Sequence, residues 1–317
     1  MTSPLAAGGR ARGARRRASR VALAGAVLAA LVRFVAVAQV PPATRRPSTL
    51  TERLWNLPAS PVGPTHAAVL LPPQREPGAR WPLLIALHGW GESNRGTEAG
   101  AWGWSRDYEL GATDAELRHT PLRRSAFLGF VATSRFDRLR RDLARRAYRG
   151  VVVVTPYTPD TLDGDAGTVD LAAAYGDWIV NTLVRRARAE LPVLRDRAST
   201  GVDGVSLGGL TALEVGLRHP ETFGVVGALQ PAVHRRVERV LGRRPASPPP
   251  QRIRLVATRS DGLTRHVVAL HDAMLARGVA HELRIVEGPH DYVFNRGAGG
   301  LEMLLFHDRA LRGMPAE

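Results

Sequence analysis

The sequence predicts an α/β fold in which a mostly parallel β-sheet is covered on both faces by helices. Three observations lead there. Short apolar runs recur along the chain, longer segments with helical spacing separate most of them, and two of the runs end in glycine-rich turns. The runs are Ala67–Leu71, Pro82–Leu87, Val151–Val154, Gly201–Val205, Phe223–Leu229, Ile253–Ala257 and Glu282–Val286. Helical spacing is clearest over 171–191, 209–219 and 264–277. With 317 residues, 44% hydrophobic and 23% charged, the chain has the make-up of a globular enzyme rather than of a disordered chain or a polytopic membrane protein. Cysteine is absent, which excludes disulfides, cysteine nucleophiles and thiolate metal sites.

The N-terminal element has the layout of a secretory signal. Residues 10–20 are arginine-rich, Val21–Val32 is apolar, and Ala36-Val37-Ala38 forms a small-x-small site ahead of Gln39. The apolar run is short for a membrane span, and extending it takes in Arg33. Residues 1–38 are therefore expected to be a cleaved signal peptide or an uncleaved anchor. The protein is expected to be exported, periplasmic or extracellular, with any membrane or cell-envelope association made through this segment.

The net charge of +15 has the same origin in part. Seven arginines and no acid lie in the first 38 residues, so the remainder carries +8. The chain has no lysine, and its basic residues are spread among acids without a nucleic-acid-binding motif, so no nucleic-acid partner is expected. Residues 39–64, rich in proline, serine and threonine, are expected to be a linker, and 65–317 the catalytic domain. Within it, 92–149 is long for one connection; with Trp102, Trp104 and Tyr108 it is expected to be a lid-like insertion.

The chemistry sits at the turns. Gly204-Val205-Ser206-Leu207-Gly208 matches G-x-S-x-G between a strand and a helix, the context in which a strained turn exposes a nucleophilic serine. Leu87-His88-Gly89-Trp90-Gly91 follows an earlier strand. The N–H groups of Trp90 and Leu207 are the expected oxyanion-hole donors. Among ten histidines, His290 directly follows the last clear strand, where a loop can bring an imidazole to the carboxyl edge of the sheet. Asp261 follows a strand and falls between serine and histidine in chain order, so it is the expected acid, with Asp291 as competitor; Asp203 precedes the serine and is expected to be structural.

LHGWG, GVSLGG and GPHDYVF, in that order, resemble the putative esterase family of α/β-hydrolases, which includes esterase D, feruloyl and acetyl-xylan esterases and mycolyltransferases. The resemblance covers roughly 67–311. It implies an α/β-hydrolase fold with an eight-stranded, mostly parallel sheet, a Ser206, Asp261, His290 triad, and an oxyanion hole from Trp90 and Leu207. The expected activity is serine carboxylic-ester hydrolysis through an acyl-enzyme, on a small-molecule or polymer-linked ester, with no cofactor. An acyltransferase using the same triad is the alternative within the enzyme class, and a catalytically silent binding protein the alternative outside it. Asp160, Asp163 and Asp165 only partly match a calcium loop, so no metal site is expected.

Overall fold

A computed structural model describes residues 45–74, 76–162 and 170–315. The expected leader, and Asp163 and Asp165, lie outside the described residues.

Eight strands form one sheet: β1 Thr51–Leu57, β2 Thr65–Leu71, β3 Leu83–Leu87, β4 Val152–Pro156, β5 Thr200–Gly204, β6 Val225–Leu229, β7 Arg252–Thr258 and β8 Glu282–Val286, in the order β1-β2-β4-β3-β5-β6-β7-β8. The sheet is mixed. β2 runs antiparallel to both β1 and β4, and every pairing from β4 through β8 is parallel. The central strands read as unbroken apolar or small runs, LLIAL in β3 and VVGAL in β6, because both of their faces are buried. β8, at one edge, keeps Glu282 and Arg284 partly exposed, as suits a strand with one unpaired side.

The expected linker over 39–64 is corrected by β1, which lies inside it and pairs with β2 along all seven residues. Only Trp55 and Leu57 of β1 are buried. A strand that covers core with two side chains carries little apolar signal, and its proline-rich flanks conceal it.

Seven helices position the site: α1 Trp90–Ser93, α2 Leu110–Arg118, α3 Thr133–Arg145, α4 Leu171–Trp178, α5 Leu207–Arg218, α6 Thr264–Ala276 and α7 Gly300–Ala310. One apolar core joins the sheet to α4, α5 and α6 through Tyr175, Leu210, Leu213, Leu217, Val267 and Leu270. A second core, on the other face, is built from the 92–149 segment and α7 through Trp104, Leu110, Phe127, Leu139, Leu301 and Leu304. Each fully buried side chain of this kind contributes about 1.5–3 kcal/mol. Trp102, Trp104 and Tyr108 are all buried in this second core, so the aromatic part of the expected lid-like insertion packs into the body of the fold.

Part of the arginine excess is absorbed beneath that layer. Buried Glu302 on α7 receives Arg135 from α3 at 2.8 Å, Arg254 from β7 at 3.4 Å and Arg284 from β8 at 3.0 Å. Burial alone would raise its pKa, but the three guanidinium groups hold it down to about 2.

Candidate active site

Ser206 stands between β5 and α5 with φ +58° and ψ −115°, a left-handed conformation that costs an L-residue about 1–3 kcal/mol. The neighbouring structure holds it there. Its N–H donates to Leu229 O at 3.0 Å, and its carbonyl accepts from Ala232 N at 2.9 Å and Leu210 N at 3.0 Å. Gly204 and Gly208 are required by space: a Cβ on Gly204 would collide with the Gly208 carbonyl, and one on Gly208 with the carbonyls of Leu87 and His88. The turn of the nucleophile motif is thus pressed against the end of β3.

That end is the HGWG turn. His88 is fully buried, with Nε2 2.8 Å from Thr158 N and Nδ1 2.9 Å from Gly89 O. An amide N–H can only donate, so Nε2 must be bare, and Nδ1 carries the hydrogen that Gly89 O accepts. Burial pushes the imidazole down to about 4, which keeps this neutral tautomer. The Gly89 carbonyl also accepts from Ser93 Oγ at 3.4 Å, and the Gly89 N–H donates to Tyr108 Oη at 3.2 Å. In a trans peptide the C=O and the following N–H point to opposite sides. Fixing the Gly89 carbonyl inward on His88 therefore turns the Trp90 N–H the other way, at the start of α1, where no intrahelical acceptor exists. A Cβ on Gly89 would lie 3.8 Å from Ser206 Cβ, so the turn borders the serine directly. The Leu207 N–H, first in α5, is likewise without an intrahelical acceptor.

Asp261 and His290 meet as the sequence anticipates: His290 Nδ1 is 2.9 Å from Asp261 Oδ2. The Asp261 side chain is buried in the tight turn after β7, where Oδ1 accepts from Leu263 N at 2.8 Å. His290 follows β8, and its side chain keeps 30% of its surface exposed. Asp291 turns elsewhere, capping the helical turn Tyr292–Phe294 by accepting from Phe294 N at 2.8 Å. Asp203 points into the core against His307 at 2.9 Å. Of the remaining histidines considered, His219 pairs with Asp177 at the far end of α5, His271 pairs with His281, and His266 accepts from its neighbour Arg265. Asp160 accepts from the Trp90 indole N–H at 2.7 Å and from Leu162 N at 2.9 Å.

Two residues beside the site were not anticipated. Gln230, buried just after β6 at φ +46°, donates through Nε2 to Thr258 Oγ1 at 2.6 Å and to Pro289 O at 2.8 Å, tying the loop of His290 to the end of β7. Glu92 is fully buried on α1 and accepts from Tyr108 and Tyr292. Nothing local in the sequence marks either as buried, because their partners lie 16 to 200 positions away.

A profile described as putative esterase matches residues 59–292. An iron(III) salmochelin esterase of Escherichia coli O6:H1 is 34% identical over 139 residues, spanning 38% of this chain and about a third of that relative's length. Among solved structures, a ferulic acid esterase superposes with a TM-score of 0.59 at 17% identity, covering 82% of this chain and 99% of its own. The S-formylglutathione hydrolase of Agrobacterium tumefaciens superposes with a TM-score of 0.56 at 16% identity, covering 84% and 97%. The last two likenesses bear on fold alone. The family match spans well over half of the chain, together with both glycine turns and the His290 loop, so this chain belongs to the putative esterase family and has the α/β-hydrolase fold.

Proposed function

We propose that the protein is an esterase that works through an acyl-enzyme on Ser206, with His290 as base and Asp261 as its acid partner. The observation that carries this reading is the Nδ1 bond of His290 to Asp261, formed by the loops after β7 and β8 at the same carboxyl edge of the parallel strands as the Ser206 turn after β5. Because Nδ1 is engaged, Nε2 is the nitrogen left to take the Ser206 proton. The serine oxygen then bonds to the ester carbonyl carbon, and the Trp90 and Leu207 N–H groups stabilise the resulting oxyanion. His290 returns its proton to the leaving alkoxide, and a water activated by the same nitrogen releases the acid.

The proposed substrate is a small-molecule or polymer-linked carboxylic ester. Trp90 leaves 41% of its surface exposed while Asp160 holds its indole N–H, which presents a fixed aromatic face beside the turn. Turnover of nitrophenyl esters and labelling by a fluorophosphonate probe test the mechanism together. Ser206→Ala is expected to abolish labelling and lower kcat by at least about 10³-fold, with unchanged circular dichroism. Retention of labelling and activity within a few-fold would remove Ser206 from the mechanism.

A further inference from the structure

Among the buried carboxylates that the mechanism does not use, Glu92 borders the HGWG turn. Glu92 is 0% exposed, and three side chains converge on it. Tyr108, from the 92–149 segment, donates its hydroxyl to Oε2 at 2.5 Å, and Tyr292, two residues past His290, donates to Oε1 at 2.6 Å. Arg95 stands 3.4 Å from Oε1. Tyr108 Oη is also the acceptor of the Gly89 N–H, so the chain of bonds runs from the oxyanion turn to the loop of the base. Burial pushes the Glu92 pKa up, and the two tyrosine bonds and Arg95 oppose it. The second glycine of HGWG belongs to the same arrangement: a Cβ on Gly91 would lie 2.5 Å from Tyr292 Oη, so only glycine lets the tyrosine reach the carboxylate.

We propose that Glu92 is a positioning residue that clamps the oxyanion turn to the His290 loop, through Tyr108 on one side and Tyr292 on the other. The inference rests on the roles given above to Trp90 and His290. A carboxylate suits the task because it offers two acceptor oxygens to two O–H donors, whereas an amide offers one oxygen and an NH₂ that can only donate. The clamp sets the separation between the oxyanion donor and the base, which must both address one reacting carbonyl.

Tyr292→Phe is the cleanest test, since it deletes one hydroxyl from a partly exposed residue and leaves the ring. Nitrophenyl-ester kinetics and inhibition by an arylboronic acid, whose tetrahedral serine adduct imitates the oxyanion intermediate, supply the readouts. The expected result is a kcat lowered between about tenfold and about a hundredfold, KM within about twofold of wild type, and boronate affinity weakened in parallel with kcat/KM. Glu92→Gln is expected to lose less than Glu92→Leu, and its effect should not add to that of Tyr292→Phe, because both break one bond. Wild-type kcat and boronate affinity in Tyr292→Phe would overturn the clamp, as would a loss confined to KM, which would make Tyr292 a substrate contact. These results refute the clamp alone so long as the wild-type enzyme labels at Ser206 with a fluorophosphonate; failure of that labelling overturns the clamp and the triad reading together.

Discussion

His290 with Asp261 and His307 with Asp203 are the same chemical pair, an imidazole nitrogen 2.9 Å from a carboxylate oxygen, placed in two regions of one fold. His290 uses Nδ1, stands on a loop after β8 and is exposed, so its Nε2 faces outward from the pair. His307 uses Nε2, stands on α7 with no exposure, and leaves Nδ1 without a partner only 2.8 Å from where a Cβ on Gly201 would lie. Burial lowers the His307 pKa and keeps it neutral. A histidine–aspartate bond thus does not by itself make a general base. The second ring nitrogen must also be reachable by a substrate, and the His290 side chain keeps 30% of its surface exposed where that of His307 keeps none.

The same substitution in both acids should separate the regions most strongly. On the proposed triad, Asp261→Asn keeps the side-chain shape but removes the charge that would stabilise the imidazolium and select its tautomer, and it is expected to lower kcat by about 10⁴-fold with the fold intact. Asp203→Asn is expected to leave kcat unchanged and to lower unfolding free energy by about 1–3 kcal/mol, because His307 Nε2 and the Gly204 N–H at 2.7 Å share the carboxylate. Urea titration and steady-state kinetics on the two variants check this. A crippled but stable Asp203→Asn enzyme would show that the core pair is coupled to the chemistry.

His88 sharpens the contrast, since it is as buried as His307 but has both nitrogens bonded. Folded His88 takes a proton only at about 4, against 6.5 as its ordinary value. Between those pH values the unfolded chain binds the extra proton, so stability falls as pH falls through the window. The contribution amounts to about 3 kcal/mol. His307 acts in the same direction, but it is present in both partners of a comparison between wild type and His88→Gln. The wild-type stability advantage over His88→Gln, measured by urea unfolding at a series of pH values, is therefore expected to shrink by about 3 kcal/mol between pH 7 and pH 4. A constant difference would mean that His88 gains its proton as readily in the folded protein as in the unfolded one.

These contrasts also mark how far the sequence could be read. The Ser206 turn, the Asp261–His290 bond and the α4 to α6 helices were legible because each is a local pattern, with strand, glycine turn and helix adjacent in the chain. β1 was not, because an edge strand that buries only Trp55 and Leu57 lacks the apolar run that betrays a central one. The aromatic residues at 102, 104 and 108 suggested a lid by composition alone, and nothing local says that they pack under the sheet. Glu92 was invisible for the strictest reason. A carboxylate is buried only where donors await it, and its donors come from residues 108 and 292.

The smallest expected effect falls on the residue nearest to the base in sequence. Asp291 adjoins His290, yet its backbone is extended at φ −151° and its carboxylate accepts from Phe294 N, as an N-cap. Asparagine caps through its own carbonyl oxygen, so Asp291→Asn should change stability by no more than about 0.5 kcal/mol and kcat by less than about tenfold. Alanine cannot cap. Asp291→Ala is expected to cost about 1 kcal/mol, and to loosen Phe294, whose ring closes over Gly288 at φ +140° two residues before the base. The order Ala worse than Asn is therefore the signature of a cap, while equal and severe losses in both would be the signature of a charge. Should Asp291→Asn prove as crippled as Asp261→Asn is expected to be, with Asp261→Asn near normal, the acid partner of His290 would have to be reassigned although the two side chains that meet in the structure are His290 and Asp261.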